Sequence, residues 1–347
     1  MPEKTDPRNI VIMRTDRIGE VLLSTVAVDA LRRAFPGARI SFVTSEYSRP
    51  VVEGRDDIDE VVTVDTMTRG GTLVRAVRLA STLKEKKFDA AIVLNPHKVL
   101  HMAAFLAGIG VRLGYDRKWG CLLNRKMRDL RSEGRKHEIE YTMDLLRLLG
   151  VEGEAFGPRL PVDEAARERV REFLSRRGIA PDTRVIVVHP GSSNPAKIWP
   201  SGRYALLIRR IRMELGFLVC VLGVKEERSL ANRIVQEAGA DVLNLAGEFD
   251  LKEVSALLER ACLFIGNDTG PMHMAAALGV PVVAIFSRNI PGVSPARWRP
   301  WGEGHVVFHE TPGCEPCHDT GCPYEYKCMQ AVAVDDVFKA AQRILNV

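Results

Sequence analysis

Short apolar segments alternate with amphipathic ones along this chain, and the alternation runs through it twice. In the first half it predicts strands at 9–14, 38–44, 60–65 and 89–95, and helices at 20–35, 72–87, 96–108 and 138–149. After a charged helix at 164–177, it predicts strands at 184–191, 217–223, 241–247, 262–268 and 281–287. The helices between and after these are predicted at 203–215, 226–238, 251–260, 272–278 and 334–347. Apolar strands that alternate with helices indicate parallel sheets covered on both faces, and therefore an α/β protein.

Two Rossmann-like domains account for this double pattern. We place the N-terminal domain at 1–160, a linker helix region at 161–182, the C-terminal domain at 183–332, and a final helix at 333–347. We expect that helix to pack back on the N-terminal domain. The length of 347 residues, with 46% hydrophobic and 27% charged residues, suits two soluble domains. Ligands of such sheets bind at the carboxyl ends of the strands.

The sequence predicts a cytoplasmic protein. The apolar segment at 102–111 is too short to cross a bilayer, and the one at 274–286 is interrupted by Gly279 and Pro281. The first ten residues lack the apolar segment of a signal peptide.

Positive charge is concentrated in the first half of the chain. Residues 1–150 contain 26 Lys and Arg against 20 Asp and Glu, a net charge of +6, whereas the remainder contains 23 against 24, a net charge of −1. The segment 112–136 is the most basic. It is either a solvated loop or a surface that attracts phosphates or an anionic membrane. Because no aromatic interleaving or nucleic-acid motif accompanies it, we do not expect nucleic acid as a partner.

The segment 265–286 gives the strongest local signal for a ligand site. A strand leads into Asp268-Thr269-Gly270, and Pro271 begins a helix. A helix N-terminus attracts anions, and Thr269 adds a hydroxyl donor. Asp268 either bonds sugar hydroxyls, orients the loop or is an ordinary helix cap. His273, one turn into the helix, is either a core residue or part of the site.

Two other strand-to-helix turns carry polar residues suited to chemistry. In the first, Ser192 and Ser193 follow the strand end at His189, and Lys197 follows them; this pattern suits phosphate binding or a plain polar loop. In the second, Gly19 and Glu20 follow the strand at 9–14. Glu20 is a candidate general base, or it merely complements the helix dipole.

Taken together and in this order, the three segments resemble the ADP-heptose:lipopolysaccharide heptosyltransferases, glycosyltransferase family 9. The landmarks are R-x-D-x-I-G-acid at 14–20, K-x-W-P at 197–200, and D-T-G-x-x-H-x-A-A-A-L-G-x-P at 268–281. The resemblance implies a GT-B fold, with two Rossmann-like domains facing each other across a cleft. It also implies inverting, metal-independent transfer of heptose from ADP-heptose to the lipopolysaccharide inner core, without a cofactor.

The resemblance also implies roles for individual residues. Ser192, Ser193, Lys197, Thr269 and Gly270 would bind the donor phosphates. Glu226 or Glu227 would bind the ribose, and Phe249 would lie near the adenine. Glu20 and Asp268 would be the catalytic carboxylates.

Acceptor binding is assigned to Arg14, Arg17, Arg117 and Lys118, because a basic N-terminal half suits a phosphorylated glycolipid. We also expect that Arg14 and Arg17 keep the neighbouring carboxylates ionised. Attachment to the inner membrane would be peripheral and electrostatic.

One departure from the family pattern keeps alternatives open. The family usually has Asp at the position of Glu20, so a transferase for another sugar nucleotide, used in surface-polysaccharide assembly, remains an alternative. A sugar-nucleotide-binding homologue without activity is another. A nucleotide-sugar epimerase would leave the basic segment unexplained, and no GxGxxG follows either first strand, which disfavours a dehydrogenase.

Four cysteines, Cys314, Cys317, Cys322 and Cys328, cluster before the last helix. Their first spacing would suit zinc, but the others are unusual for it. Packed thiols, a structural zinc and a disulfide all remain open, and we assign no catalytic metal to them.

Overall fold

The structure is a computed structural model that describes residues 6–64, 71–239, 241–314, 317 and 321–347. The chain divides into two compact units, Met1–Pro161 and Val162–Val347. No helix within the described ranges is long and apolar enough to cross a membrane.

Unit 1 contains one parallel sheet of six strands: β1 (Asn9–Met13), β2 (Arg39–Ser45), β3 (Glu60–Val64), β4 (Ala90–Val93), β5 (Val111–Tyr115) and β6 (Arg125–Met127). Its helices are α1 (Ile18–Ser24), α2 (Val26–Ala34), α3 (Thr72–Glu85), α4 (Lys98–Leu106) and α5 (Glu138–Arg147). The strand order is β3-β2-β1-β4-β5-β6. From β1, the strands β2 and β3 are added on one side, and β4, β5 and β6 on the other. The boundary between β1 and β4 is therefore the topological switch point, where ligands of such sheets bind.

Unit 2 repeats this topology. Its strands are β7 (Val185–His189), β8 (Leu218–Val221), β9 (Val242–Asn244), β10 (Ala261–Asn267), β11 (Val282–Phe286) and β12 (Val306–His309). Its helices are α6 (Glu164–Ser175), α7 (Ser201–Arg210), α8 (Arg228–Ala238), α9 (Leu251–Glu259), α10 (Gly270–Ala277), α11 (Pro295–Trp298), α12 (Lys327–Ala331) and α13 (Val334–Leu345). The order β12-β11-β10-β7-β8-β9 places the switch point between β7 and β10.

The structure corrects several expectations about these elements. Strands β5 and β6 lie within the basic segment, and β12 was missed. Each is short, and β6 (Arg-Lys-Met) lacks an apolar pattern. The predicted helix at 20–35 begins at Ile18 and is divided at Thr25 into α1 and α2. Residue 65, predicted to end β3, lies outside the described ranges.

The final helix, α13, packs in the core of unit 2. Its apolar face includes Val337, Phe338, Ala340 and Ala341, which are buried in the core of unit 2. That core also contains the fully buried Trp199, whose indole N–H donates to the Val332 carbonyl at 3.1 Å. The amphipathic pattern therefore indicated a buried face correctly, but it did not indicate which sheet would cover it.

Candidate functional site

The switch point of unit 2 brings the ends of β7 and β10 side by side, with Gly266 opposite His189 in the register. The next residue, Asn267, is fully buried. Its amide donates to the Pro190 carbonyl at 2.8 Å and accepts from the Tyr204 hydroxyl at 2.9 Å. Because these bonds fix the loop after β7 relative to β10, Asn267 is a positioning residue that the sequence reasoning missed. An amide at the end of an otherwise apolar strand was the available signal.

Helix α10 begins at Gly270, and Thr269 is its N-cap residue. The Thr269 side chain does not cap the helix. Its hydroxyl lies 3.1 Å from Nδ1 of His189 instead. The N-cap side chain therefore leaves the start of α10 uncapped. Pro271 has no N–H, and the Met272 N–H donates to the Thr269 carbonyl at 3.2 Å, so the Gly270 N–H and the positive helix dipole are what suit an anion here. His189 was noted only as a strand end, yet it helps to build this site.

Asp268 is not an ordinary helix cap, since its carboxylate pairs with Lys197. The two side-chain atoms lie 2.5 Å apart, and Lys197 Nζ also donates to the Asp268 carbonyl at 3.1 Å. Lys197 ends the short 3₁₀ turn Pro195–Lys197. The pair is largely buried, so the ammonium group is held in place beside the N-terminus of α10.

The two predicted phosphate-binding serines lie in the loop between β7 and this turn. Ser192 Oγ accepts a bond from the Asn194 N–H at 3.2 Å and shapes the loop. Ser193 is exposed. The loop thus keeps one hydroxyl engaged and the other accessible to a ligand.

Glu227, rather than its neighbour, points into this site. Its carboxylate lies 3.5 Å from Nε2 of His189 and accepts from the Val224 N–H at 3.0 Å. A Cβ added to Gly191 would meet Glu227 Oε1 at 2.0 Å, so the carboxylate occupies space that only glycine leaves open. Glu226 is exposed. Burial alone would raise the pKa of Glu227, but the bonds from His189 and Val224 outweigh it and lower that pKa. His189 therefore connects Thr269 with an ionised carboxylate.

Two other predicted residues of unit 2 have apolar neighbours. Phe249 packs edge-on against Phe173 of α6, with ring centroids 4.7 Å apart. His273 is buried in α10, and its ring faces Trp298 at a centroid distance of 6.4 Å. These contacts support the core interpretation of His273 and leave the adenine assignment of Phe249 a prediction.

At the switch point of unit 1, Arg14 follows β1 and is buried between two carboxylates. Its guanidinium lies 2.6 Å from Asp16 and 2.9 Å from Glu138. Arg131 also contacts Glu138, at 3.3 Å. Burial lowers the pKa of Arg14, but Asp16 and Glu138 outweigh it and raise that pKa. Arg14 was expected to bind the acceptor. In this structure its side chain is 2% exposed and holds Asp16 in place.

Glu20 lies in the first turn of α1, next to the buried Gly19. Burial and the nearby charge of Asp16 raise the pKa of Glu20, and the opposing effects of Arg14 and Arg17 are smaller. This corrects the expectation that the arginines would dominate and keep the carboxylate ionised. A glutamate with a raised pKa is better matched to accepting a proton near neutral pH.

The remaining basic residues predicted to bind the acceptor lie on the surface of unit 1. Arg17 is exposed at the N-terminus of α1. Arg117 lies 3.6 Å from Asp129, and Lys118 is exposed in the turn after β5. All three are accessible to an anionic ligand.

The four C-terminal cysteines are free, half-buried thiols, and Cys317 Sγ accepts from the Asn289 N–H at 3.3 Å. Among the described residues, no three metal-ligating side chains come together.

The chain matches known glycosyltransferases in sequence and fold. The model of "Glycosyltransferase family 9 (heptosyltransferase)" matches residues 76–327. The "Lipooligosaccharide heptosyltransferase 2" of Haemophilus ducreyi is 27% identical over 307 residues, which are 82% of this chain and 85% of that protein.

Two solved structures share the fold. The family 9 glycosyl transferase of Veillonella parvula has a TM-score of 0.85 and 25% identity, and the match covers 99% of this chain and 98% of that one. The Escherichia coli heptosyltransferase WaaC, solved with ADP-2-deoxy-2-fluoro heptose, has a TM-score of 0.69 and 19% identity, over 97% and 99% of the two chains. The family match spans most of the sequence, and both sheets have the Rossmann order of these GT-B proteins. The chain therefore belongs to glycosyltransferase family 9, the heptosyltransferases.

Proposed function

We propose that the protein transfers heptose from ADP-heptose to a phosphorylated inner-core lipopolysaccharide acceptor, with inversion at the anomeric carbon. The observation that carries this proposal is the set of groups at the switch point of unit 2. An uncapped helix N-terminus, a held lysine and an ionised glutamate lie around the ends of β7 and β10. The similarity to heptosyltransferases, one of them solved with an ADP-heptose analogue, supports ADP-heptose as the donor.

Each group has a role in donor binding. Lys197 and the N-terminus of α10 would bind the diphosphate, with the Ser193 hydroxyl as a further donor. Thr269, whose hydroxyl is bonded to His189, would hold the start of the helix in place beside the phosphates. The carboxylate of Glu227 would accept bonds from the ribose hydroxyls. Asp268 would orient Lys197 and bind a sugar hydroxyl, and Phe249 would lie against the adenine.

The reaction requires one proton transfer and one leaving group. The acceptor oxygen attacks the anomeric carbon while the bond from that carbon to the phosphate oxygen breaks, and ADP leaves with the electron pair. Glu20 takes the proton from the attacking hydroxyl. Lys197 and the positive N-terminus of α10 would stabilise the negative charge that develops on ADP, so no metal ion is assigned to this step. Arg17, Arg117 and Lys118 would bind phosphates of the acceptor, at a peripheral position on the inner membrane.

A donor-binding scan by calorimetry tests the proposal. The affinity of each protein is measured for ADP-heptose, ADP, UDP and UDP-sugars, using the wild type, Lys197→Ala and Arg233→Ala. Arg233→Ala is the control, because it removes an exposed cation of α8. We expect ADP compounds to bind best. Lys197→Ala should weaken them by about 10- to 100-fold, because a charge-assisted bond is lost, and Arg233→Ala should leave them unchanged. Preference for UDP would overturn the heptosyl donor and favour another sugar nucleotide, the alternative that the longer side chain of Glu20 suggests.

A further inference from the structure

Helix α3 presents an apolar face to solvent. Leu73, Val74 and Val77 are 62%, 46% and 51% exposed, and their spacing places them on one side of the helix. The opposite side, which includes Leu79 and Leu83, is buried against the sheet of unit 1. Single exposed apolar residues are ordinary, but three on one helix face indicate a surface that contacts something.

A tryptophan lies at the same end of unit 1 as the start of α3. Trp119 is 46% exposed, and it lies 5.8 Å from the ammonium of Lys98, the first residue of α4. Helices α3 and α4 pack together through Ala76, Val99 and Met102, with Leu122 packed against them. Since α3 and α4 both begin at the carboxyl edge of the sheet and Leu122 packs against them, the turn that carries Trp119 lies at the same edge as the start of α3.

The turn that carries Trp119 has an unusual backbone conformation. Lys118 and Trp119 both adopt positive φ angles, 48° and 73°, which non-glycine residues rarely adopt. A Cβ on Gly120 would meet Asp116 Oδ1 at 2.6 Å, so the turn is tightly packed from within. Backbone strain of this kind often accompanies function.

Two arginines of α3 flank its apolar face on one side. Arg75 and Arg78 of α3, with His97, Thr15 and Thr63, line a cavity of about 220 Å³. Neither arginine has an ion-pair partner in the part of the chain that the structure describes. Burial is the main cause of the lowered pKa of His97, and the charges of Arg75 and Lys118 lower it further. Thr15 of this cavity directly precedes Asp16, in the loop that leads to Glu20.

We propose that this surface, named here the α3–Trp119 surface and made of Leu73, Val74, Val77 and Trp119 with Arg75 and Arg78, docks on a bilayer of anionic phospholipids. The arginines bind headgroup phosphate at the cavity, while Trp119 and the aliphatic side chains enter the interfacial layer. This combination of unpaired cations with an interfacial aromatic residue favours a lipid surface over a protein partner. The inference rests on the proposed function, because it positions a lipid-linked acceptor beside the loop of Glu20.

Vesicle co-sedimentation of the full chain tests the proposal, with vesicles of phosphatidylcholine alone or mixed with phosphatidylglycerol. We expect binding only to the mixed vesicles, and weaker binding as salt rises. The double variant Arg75→Gln and Arg78→Gln should lower the partition coefficient about 25-fold, because each cation contributes about fivefold. Arg233→Gln with Lys225→Gln, which removes two exposed cations of unit 2, should have little effect.

A second pair of variants tests the apolar part. Val77→Ser and Trp119→Ala should each lower vesicle binding several-fold, whereas Leu206→Ser, at an apolar residue of α7 that is 46% exposed, should not. Equal losses in all variants, or binding to phosphatidylcholine alone with equal strength, would overturn the proposal. A dimer in solution that Trp119→Ala dissociates would also overturn it, because a second copy would then occupy the surface.

Transfer to acceptor dispersed in detergent separates this inference from the proposed function. Transfer without vesicle binding would overturn the docking surface and leave the proposed function standing. Vesicle binding that depends on the α3–Trp119 surface, without any transfer, would support docking and contradict the proposed function.

Discussion

Nδ1 of His189 lies 3.1 Å from the hydroxyl of Thr269, across the switch point of the second sheet. This bond occupies the side chain that would otherwise cap α10, so the helix N-terminus stays open toward a ligand. The other ring nitrogen of His189 lies 3.5 Å from the carboxylate of Glu227. One histidine thus links the proposed diphosphate site to the proposed ribose site, and the two sites should respond to the same substitutions.

The first prediction concerns this bond. Thr269→Val keeps the shape of the side chain but removes the hydroxyl, so it should weaken ADP binding about fivefold, the value of one neutral hydrogen bond. Thr269→Ser keeps the hydroxyl and should bind ADP like the wild type. Calorimetric titration with ADP measures both. Equal affinity in the valine variant would mean that the hydroxyl plays no part in the site.

The second prediction uses the close approach of Gly191 to Glu227. Gly191→Ala would place a methyl group 2.0 Å from Glu227 Oε1 and displace the carboxylate. ADP binding should then fall about 10- to 100-fold, as expected for loss of a charge-assisted hydrogen bond. Gly202→Ala of α7 is the matched control, because its Cβ would come no closer than 3.9 Å to another residue. Glu227→Gln should reproduce the loss and Glu226→Gln should not, whereas the opposite order would reassign the ribose contact.

Much of the fold could be predicted from the sequence, because both sheets are parallel and their central strands are continuous apolar segments. The short strand β6, with the sequence Arg-Lys-Met, could not, because its place comes from pairing with β5 and not from its own pattern. The loops that carry Lys197, Asp268 and Thr269 were found from residue type and position after a strand. The functions of His189 and Asn267 were missed, because both act by bonding residues about eighty positions away.

The third prediction concerns the pH dependence of transfer. Asp16 raises the pKa of Glu20, so removing its charge with Asp16→Asn should lower that pKa. A base must be deprotonated to act, and the acid limb of the rate profile should therefore move to lower pH. The dependence of kcat/KM on pH measures this shift. An acid limb that stays in place, or moves to higher pH, would argue against Glu20 as the titrating base.

The fourth prediction concerns stability. Glu138 is buried between Arg14 and Arg131, and Glu138→Gln would leave two buried guanidinium groups with one counter-charge fewer. We expect a loss of about 3 kcal/mol in the free energy of unfolding, as for other broken buried pairs. Lys136→Gln breaks an ion pair with Asp144 that is partly exposed, and should cost less than about 1 kcal/mol. Denaturant unfolding measures both, and similar losses would contradict the role given to the buried cluster.

The fifth prediction is the most direct test of the account: heptose transfer from ADP-heptose to inner-core lipopolysaccharide acceptors without heptose and with one heptose, measured for the wild type and Glu20→Gln. The wild type should form the product. Glu20→Gln should bind ADP-heptose with unchanged affinity and lose at least about 100-fold in kcat, because the attacking hydroxyl loses its base. It should also unfold at a higher temperature at neutral pH, since a carboxylate with a raised pKa destabilises the fold when ionised. Absence of product with the wild type, or an unchanged kcat in Glu20→Gln, would contradict the account.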